Sequence, residues 1–254
     1  MIAEIITIGD ELLSGNTIDK NSAYIAQKLF ERGCTVNRIT TVGDDVESIR
    51  KVILESLARG PDVLIISGGL GPTHDDVTMY AVSLATGRSL KLSEEALKWV
   101  KEKYEELYRK GYVDTPEINE SRKKMAYIPE GAILIKNDVG IAPGALINHG
   151  NTRIFVLPGM PSEMRAMLEK YVLPKINATP LYQKKFKLLS KDESMVSKNL
   201  REVADNLNVK IHSSPRGFAK DAYILIIMFS ESLSNIERAK IELENRGLKL
   251  EPVD

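Results

Sequence analysis

Val63-Leu64-Ile65-Ile66-Ser67-Gly68-Gly69-Leu70-Gly71-Pro72-Thr73-His74-Asp75-Asp76 passes directly from an unbroken apolar run into glycines, a proline and paired acids. An apolar run of that length, bounded by turn residues, reads as a strand buried on both faces, as in a parallel sheet. Glycines straight after it let the backbone approach a ligand and adopt positive φ. Successive N–H groups there can form an anion-binding nest at the start of the next helix. Phosphate is the guest such a turn suits. The segment is not a P-loop and lacks the dinucleotide Gly-x-Gly-x-x-Gly spacing. The same residues also read as a tight strand-to-helix turn, with Thr73 and Asp75 or Asp76 as caps.

Outward from this segment, β-rich runs at residues 2–8, 35–42, 62–67, 132–135 and 153–157 alternate with helical periods at 17–32, 46–59 and 77–86. That alternation predicts an α/β fold, a mostly parallel sheet with helices on both faces. In the first helix, Asn16 or Thr17 is the expected cap, Ile18, Ile25 and Leu29 the apolar stripe, and Gly33 the stop. Residues 93–110 and 117–124 are helical and highly charged, and are expected to form an excursion beside the sheet, a lid or an oligomer contact. After Pro174 the pattern changes to strand (185–189), helix (193–207), two strands (209–213 and 222–229), helix (233–246) and a last strand (248–250). This predicts a small α+β domain over 181–254 behind a first domain over 1–176, with Asn177-Ala178-Thr179-Pro180 as linker.

The chain has 254 residues, 35 Lys+Arg against 35 Asp+Glu, 43% apolar residues and one cysteine. Its apolar runs are strand-length and no signal-like segment opens it, so a cytoplasmic protein with no membrane contact is expected. Balanced charge removes the electrostatic footprint of nucleic-acid binding. Cys34 reads as the buried start of a strand, and no His/Cys spacing supports zinc. Trp99 has core-like spacing, and the lysines from Lys184 to Lys198, Lys191 among them, read as a solvated face.

In an open parallel sheet, ligands collect outside the carboxyl ends of the strands. Those positions hold Gly9-Asp10-Glu11, Gly43-Asp44-Asp45, the glycine loop with Gly68, Gly69, Gly71, Pro72, Thr73, Asp75 and Asp76, and Pro158-Gly159-Met160-Pro161-Ser162-Glu163. The last offers a helix start with a hydroxyl as a second place for an anion. Asn137-Asp138-Val139-Gly140-Ile141-Ala142-Pro143-Gly144 reads as a loop able to close over the site, or as a hairpin connection. Acids from three strand ends, Glu11, Asp44 or Asp45, and Asp75 or Asp76, would repel an anionic ligand unless a divalent cation such as Mg²⁺ lay between them. A metal-bridged pyrophosphate suits that layout. Otherwise the paired acids are helix-start residues favoured by the dipole.

Taken together, Gly9 to Gly15 with Asn21, Val42 to Asp45, Gly68 to Thr73 with Asp75-Asp76-Val77-Thr78, and Pro158 to Met164 resemble the CinA (competence/damage-inducible) family. Its N-terminal part is similar to the MoaB/Mog molybdopterin-binding domain. The resemblance runs in order from residue 2 to about 170, and the small domain fits the family's middle segment. It implies a molybdopterin-binding-type fold and metal-dependent hydrolysis of a nucleotide-sugar pyrophosphate such as ADP-ribose. It also places the metal and catalytic acids on Glu11, Asp44 and Asp76, with ligand contacts from the four loops, Asn137 and Gly144. Alternatives are molybdopterin binding or adenylylation, and a non-catalytic nucleotide- or pterin-binding module. Related domains are oligomeric, so a homo-oligomer is expected. No nicotinamide-nucleotide deamidase segment follows residue 254, so deamidation is not expected. Ile141 stands where the family pattern suggests threonine.

Overall fold

The computed structural model describes residues 1–176, 178–189, 193–217 and 222–253. The chain divides into two compact units, residues 1–30 with 34–178, and residues 31–33 with 179–254. No described helix is long and apolar enough to cross a membrane.

The first unit runs β1 (Ile2–Ile8), α1 (Asp10–Leu13), α2 (Lys20–Glu31), β2 (Thr35–Val42), α3 (Val46–Arg59), β3 (Val63–Ser67), α4 (Thr78–Thr86), β4 (Leu90–Leu92), α5 (Glu94–Arg109), α6 (Glu120–Lys124), β5 (Tyr127–Pro129), β6 (Ile133–Ile135), β7 (Gly144–His149), β8 (Thr152–Leu157) and α7 (Pro161–Met167). Six strands form one sheet in the order β2-β1-β3-β8-β7-β6. The first four are mutually parallel, whereas β7 is antiparallel to both neighbours. Every residue of β3 is buried, which explains its unbroken apolar run: Leu64 and Ile66 enter one core, Val63 and Ile65 the other. The register sets Thr7 beside Ser67 and Ser67 beside Leu157. The carboxyl ends of β1, β3 and β8 are therefore level, and their turns emerge together.

Three expectations are corrected. The first long helix starts at Lys20, capped by Asp19, whose Oδ1 accepts the Ser22 N–H at 2.9 Å. Asn16 and Thr17 lie ahead of it, and Ile18, 77% exposed, is not in the stripe. The charged helix α5 is no excursion: Ala96, Leu97, Val100 and Tyr104 are buried in the same core as Ile66 and Ile147, and only its opposite face is charged. Trp99 is half-buried, with the Lys136 ammonium 5.8 Å from its ring centre. Finally, the run at 132–135 pairs antiparallel with β7 instead of joining the parallel strands, and of the two readings of the loop over 136–143 the hairpin connection is the one observed.

The second unit runs β9 (Tyr182–Leu188), α8 (Glu193–Leu207), β10 (Lys210–Arg216), β11 (Tyr223–Ser230), α9 (Leu233–Asn245) and β12 (Leu250–Val253), an antiparallel sheet in the order β10-β11-β9-β12. Phe186, Leu188, Ile224, Ile226 and Met228 bury against Val203 of α8 and Ile236 and Leu243 of α9. The last strand thus begins where sequence pattern ends it. Of the lysine face, Lys184 is paired with Glu237, and Lys191 lies outside the described residues, as does Asn177 of the linker.

Candidate functional site

Beyond the level row of Thr7, Ser67 and Leu157 opens a cleft of about 910 Å³. Its walls come from the turns after β1, β2, β3 and β8, together with the residues leading into α2 and the hairpin loop at Ile141 and Ala142.

The turns after β1 and β2 are stitched together reciprocally. The Asp10 N–H donates to Asp44 Oδ2 at 2.8 Å, and the Asp44 N–H to Asp10 Oδ1 at 3.2 Å. Gly43 is required there, since a Cβ would lie 2.3 Å from Asp10 Oδ1. Glu11 folds back so that a Cβ on Gly9 would meet its carboxylate at 2.5 Å. Burial pushes the Asp44 carboxyl above the usual range, and the charges of Asp10, Glu11 and Asp75 push it the same way against the Asp10 N–H.

After β3 the chain turns through Gly68 (φ 120°) and Gly69 (φ 64°). A Cβ on Gly68 would come 2.3 Å from the Ile8 carbonyl, and one on Gly69 2.3 Å from Thr78 Oγ1. Thr78 holds the turn from within, its hydroxyl donating to the Gly68 carbonyl at 2.9 Å and its N–H to the Gly69 carbonyl at 3.2 Å. The Gly68 N–H is used by the Leu157 carbonyl and that of Thr73 by Asp76 Oδ2 at 2.9 Å. Between them, the N–H groups of Gly69, Leu70 and Gly71 meet no acceptor among the described residues. The Thr73 hydroxyl lies within reach of both Asp75 and Asp76, and hydrogen bonding from it lowers the Asp75 carboxyl.

The turn after β8 is fixed by a residue from across the cleft. Asn21 Nδ2 donates to the Gly159 carbonyl at 2.7 Å and to Ser67 Oγ at 3.3 Å, while the Ser67 hydroxyl donates to the Pro158 carbonyl at 3.0 Å. Asn21 Oδ1 is buried and has no partner among the described residues. Residue pattern alone gives no role to Ser67. Its signal is a hydroxyl at the last position of an otherwise apolar strand.

The structure brings Gly9, Glu11, Asp44, Gly68, Gly69, Gly71, Pro72, Thr73, Asp75, Asp76, Gly159, Pro161 and Glu163 to one cleft wall. Four expected residues are not on it. Asp10 is spent on Asp44, and Ser162 is exposed on the first turn of α7. Gly144 belongs to β7, where a Cβ would lie 2.5 Å from the Val156 carbonyl. Asn137 is buried behind Glu163. Glu11, Asp44 and Asp76 share the wall without forming a cage: no group of three or more His, Cys, Asp or Glu side chains among the described residues is placed to hold a metal ion. These hard oxygen donors suit Mg²⁺ only with ligand oxygens and water completing the shell.

A family model described as "Probable molybdopterin binding domain" matches residues 4–178. The chain is 58% identical over 249 residues to a protein of Pyrococcus furiosus, covering 98% of each. It is 57% identical over 251 residues to a protein of Thermococcus kodakarensis, covering 99% of each. Among solved structures it is similar to the protein CinA, of unknown function, from Thermoplasma acidophilum, with 36% identity, 66% of this chain and 94% of that chain covered, and a TM-score of 0.60.

Proposed function

The chain belongs to the molybdopterin-binding-domain family, and from that premise we propose that its cleft binds a phosphorylated pterin of the molybdopterin class. The observation that carries this reading is the glycine turn after β3, where three consecutive N–H groups meet no acceptor among the described residues beside a cleft large enough for a ring system and its phosphate. The phosphate sits on those N–H groups, and the ring lies along the apolar side formed by Leu70, Met125 and Ile141. Calorimetric titration with neopterin monophosphate tests it. Gly69→Ala, which drives a methyl into Thr78, lowers the affinity at least tenfold; an unchanged affinity refutes phosphate binding at this turn.

A second reading has its own observation, the crowding of Asp44 by Asp10, Glu11 and Asp75. Acids so placed are relieved by a cation, and Glu11, Asp44 and Asp76 would hold Mg²⁺ together with phosphate oxygens and water. A metal bound there supplies polarisation of a phosphoryl oxygen and an activated water, the chemistry of ADP-ribose hydrolysis. In this reading AMP appears only with a divalent metal present and is lost in Asp76→Ala. Absence of AMP with every divalent metal removes the hydrolase and leaves binding or adenylylation.

A further inference from the structure

Glu163, in the first turn of α7, is a carboxyl set into the cleft wall and held by a device assembled from the hairpin loop. Asn137 Nδ2 donates to its Oε2 at 2.6 Å and to the Ala142 carbonyl at 3.0 Å. Asn137 Oδ1 in turn accepts the N–H groups of Val139 and Gly140, at 3.2 and 2.7 Å, so the amide cannot turn over. Gly140 leaves the space: a Cβ on it would lie 2.0 to 2.2 Å from the Glu163 carboxyl. A carboxylate offers about four acceptor sites, and among the described residues this one receives a single donor. No lysine, arginine or histidine forms an ion pair with it among the described residues. Burial pushes the carboxyl above its usual range, and the charge of Lys103, itself paired with Glu106 at 3.0 Å, relieves it only in part.

Ile141, Ala142, Met125 and Leu70 line the same cleft and give it apolar surface on which a flat ring can lie. An under-supplied carboxylate at the margin of such a surface is completed by a ring that presents N–H groups in its own plane. Resting on the reading of the cleft as a phosphorylated-pterin site, we infer that Glu163 reads the ligand's ring, its carboxylate accepting the paired N–H donors of an amino–keto pyrimidine edge. Pterin and guanine share that edge. Adenine, whose corresponding edge alternates donor and acceptor, cannot offer two donors to an ionised carboxylate. Asn137 and Gly140 act through Glu163 as positioning residues and do not touch the ligand.

Calorimetric titrations with neopterin monophosphate, guanosine monophosphate, adenosine monophosphate and inorganic phosphate at mildly alkaline pH test the inference. The pterin and guanine compounds bind at least tenfold more tightly than the adenine compound, and comparison of the first two shows which ring fits. Glu163→Gln, which keeps the shape and turns one acceptor into a donor, erases the preference. Asn137→Ala weakens the same preference, and a thermal midpoint retained in either variant shows that it is folded. Equal binding of all three ring compounds, or a preference untouched by Glu163→Gln, overturns the inference and leaves the phosphate reading standing. Failure of every compound to bind overturns both.

Discussion

The strands β1, β3 and β8 have two ends, and the polar groups at those ends are treated in opposite ways. Toward the amino-terminal end, the buried Glu4 receives Arg59 through two hydrogen bonds of 2.7 Å, the Ile2 N–H donates to Asp62 at 2.6 Å, and the Thr152 hydroxyl donates to the Pro61 carbonyl at 2.6 Å. At the carboxyl end, Asp44 stands among acids, and among the described residues Glu163 has one donor and the N–H groups of Gly69, Leu70 and Gly71 have no acceptor. The same strands carry both arrangements, so the difference is not one of fold quality. Unmet polar groups cost stability, and those at the carboxyl end line the cleft.

The contrast predicts which substitutions hurt. Burial pushes the Glu4 carboxyl up, but the hydrogen bonds and charge of Arg59 outweigh it, and the net position is lowered. Arg59→Ala strands that carboxylate and costs about 2 to 3 kcal/mol, below the full cost of breaking a buried pair because a third of the arginine side chain is exposed. The loss is seen in urea unfolding at neutral pH and fades in acid, since a lowered carboxyl contributes stability only above its ordinary value and loses it as pH falls through the native one. Gly144→Ala costs about 2 kcal/mol by forcing a methyl onto the Val156 carbonyl and Met167, with ligand affinity unchanged. A collapse of affinity without loss of stability would return Gly144 to the ligand site.

At the other end substitutions gain. Glu163→Gln stabilises the ligand-free protein by about 1 kcal/mol at neutral pH, because the native chain there buries an under-supplied charge. The sign follows from the raised carboxyl: the native state holds the proton more tightly than the unfolded chain, so wild-type stability falls as pH rises through the native value. The variant's advantage therefore disappears near pH 4, and an advantage that persists in acid contradicts the assigned cause. Asp44→Asn gives the smallest gain, about 0.5 kcal/mol given its partial exposure, and low salt enlarges it.

What could be read in advance was local. Val63 to Asp76 declares a buried strand and a tight glycine turn through neighbours in sequence, and the structure keeps both. Sequence does not specify the cap of α2, because Thr17 and Asp19, two residues apart, are both good capping types, and only the contact of Asp19 with Ser22 decides. Helix α5 was legible as a helix but not as core, since its charged face dominates composition while four buried positions carry the packing. The strand β7 begins at a glycine next to a proline and resembles a loop until β8 pairs with it. The Asn137–Glu163 contact spans 26 residues and has no sequence signature.

The register that levels Ser67 with Leu157 also sets an order of events. Parallel pairing across so long a stretch requires closing a large loop before any ladder bond rewards it, which slows assembly relative to the hairpin pairing of β10 with β11. The cleft is thus among the last features to exist in a refolding molecule, and after dilution from denaturant, recovery of binding by the proposed phosphorylated ligand trails recovery of the far-ultraviolet circular dichroism signal.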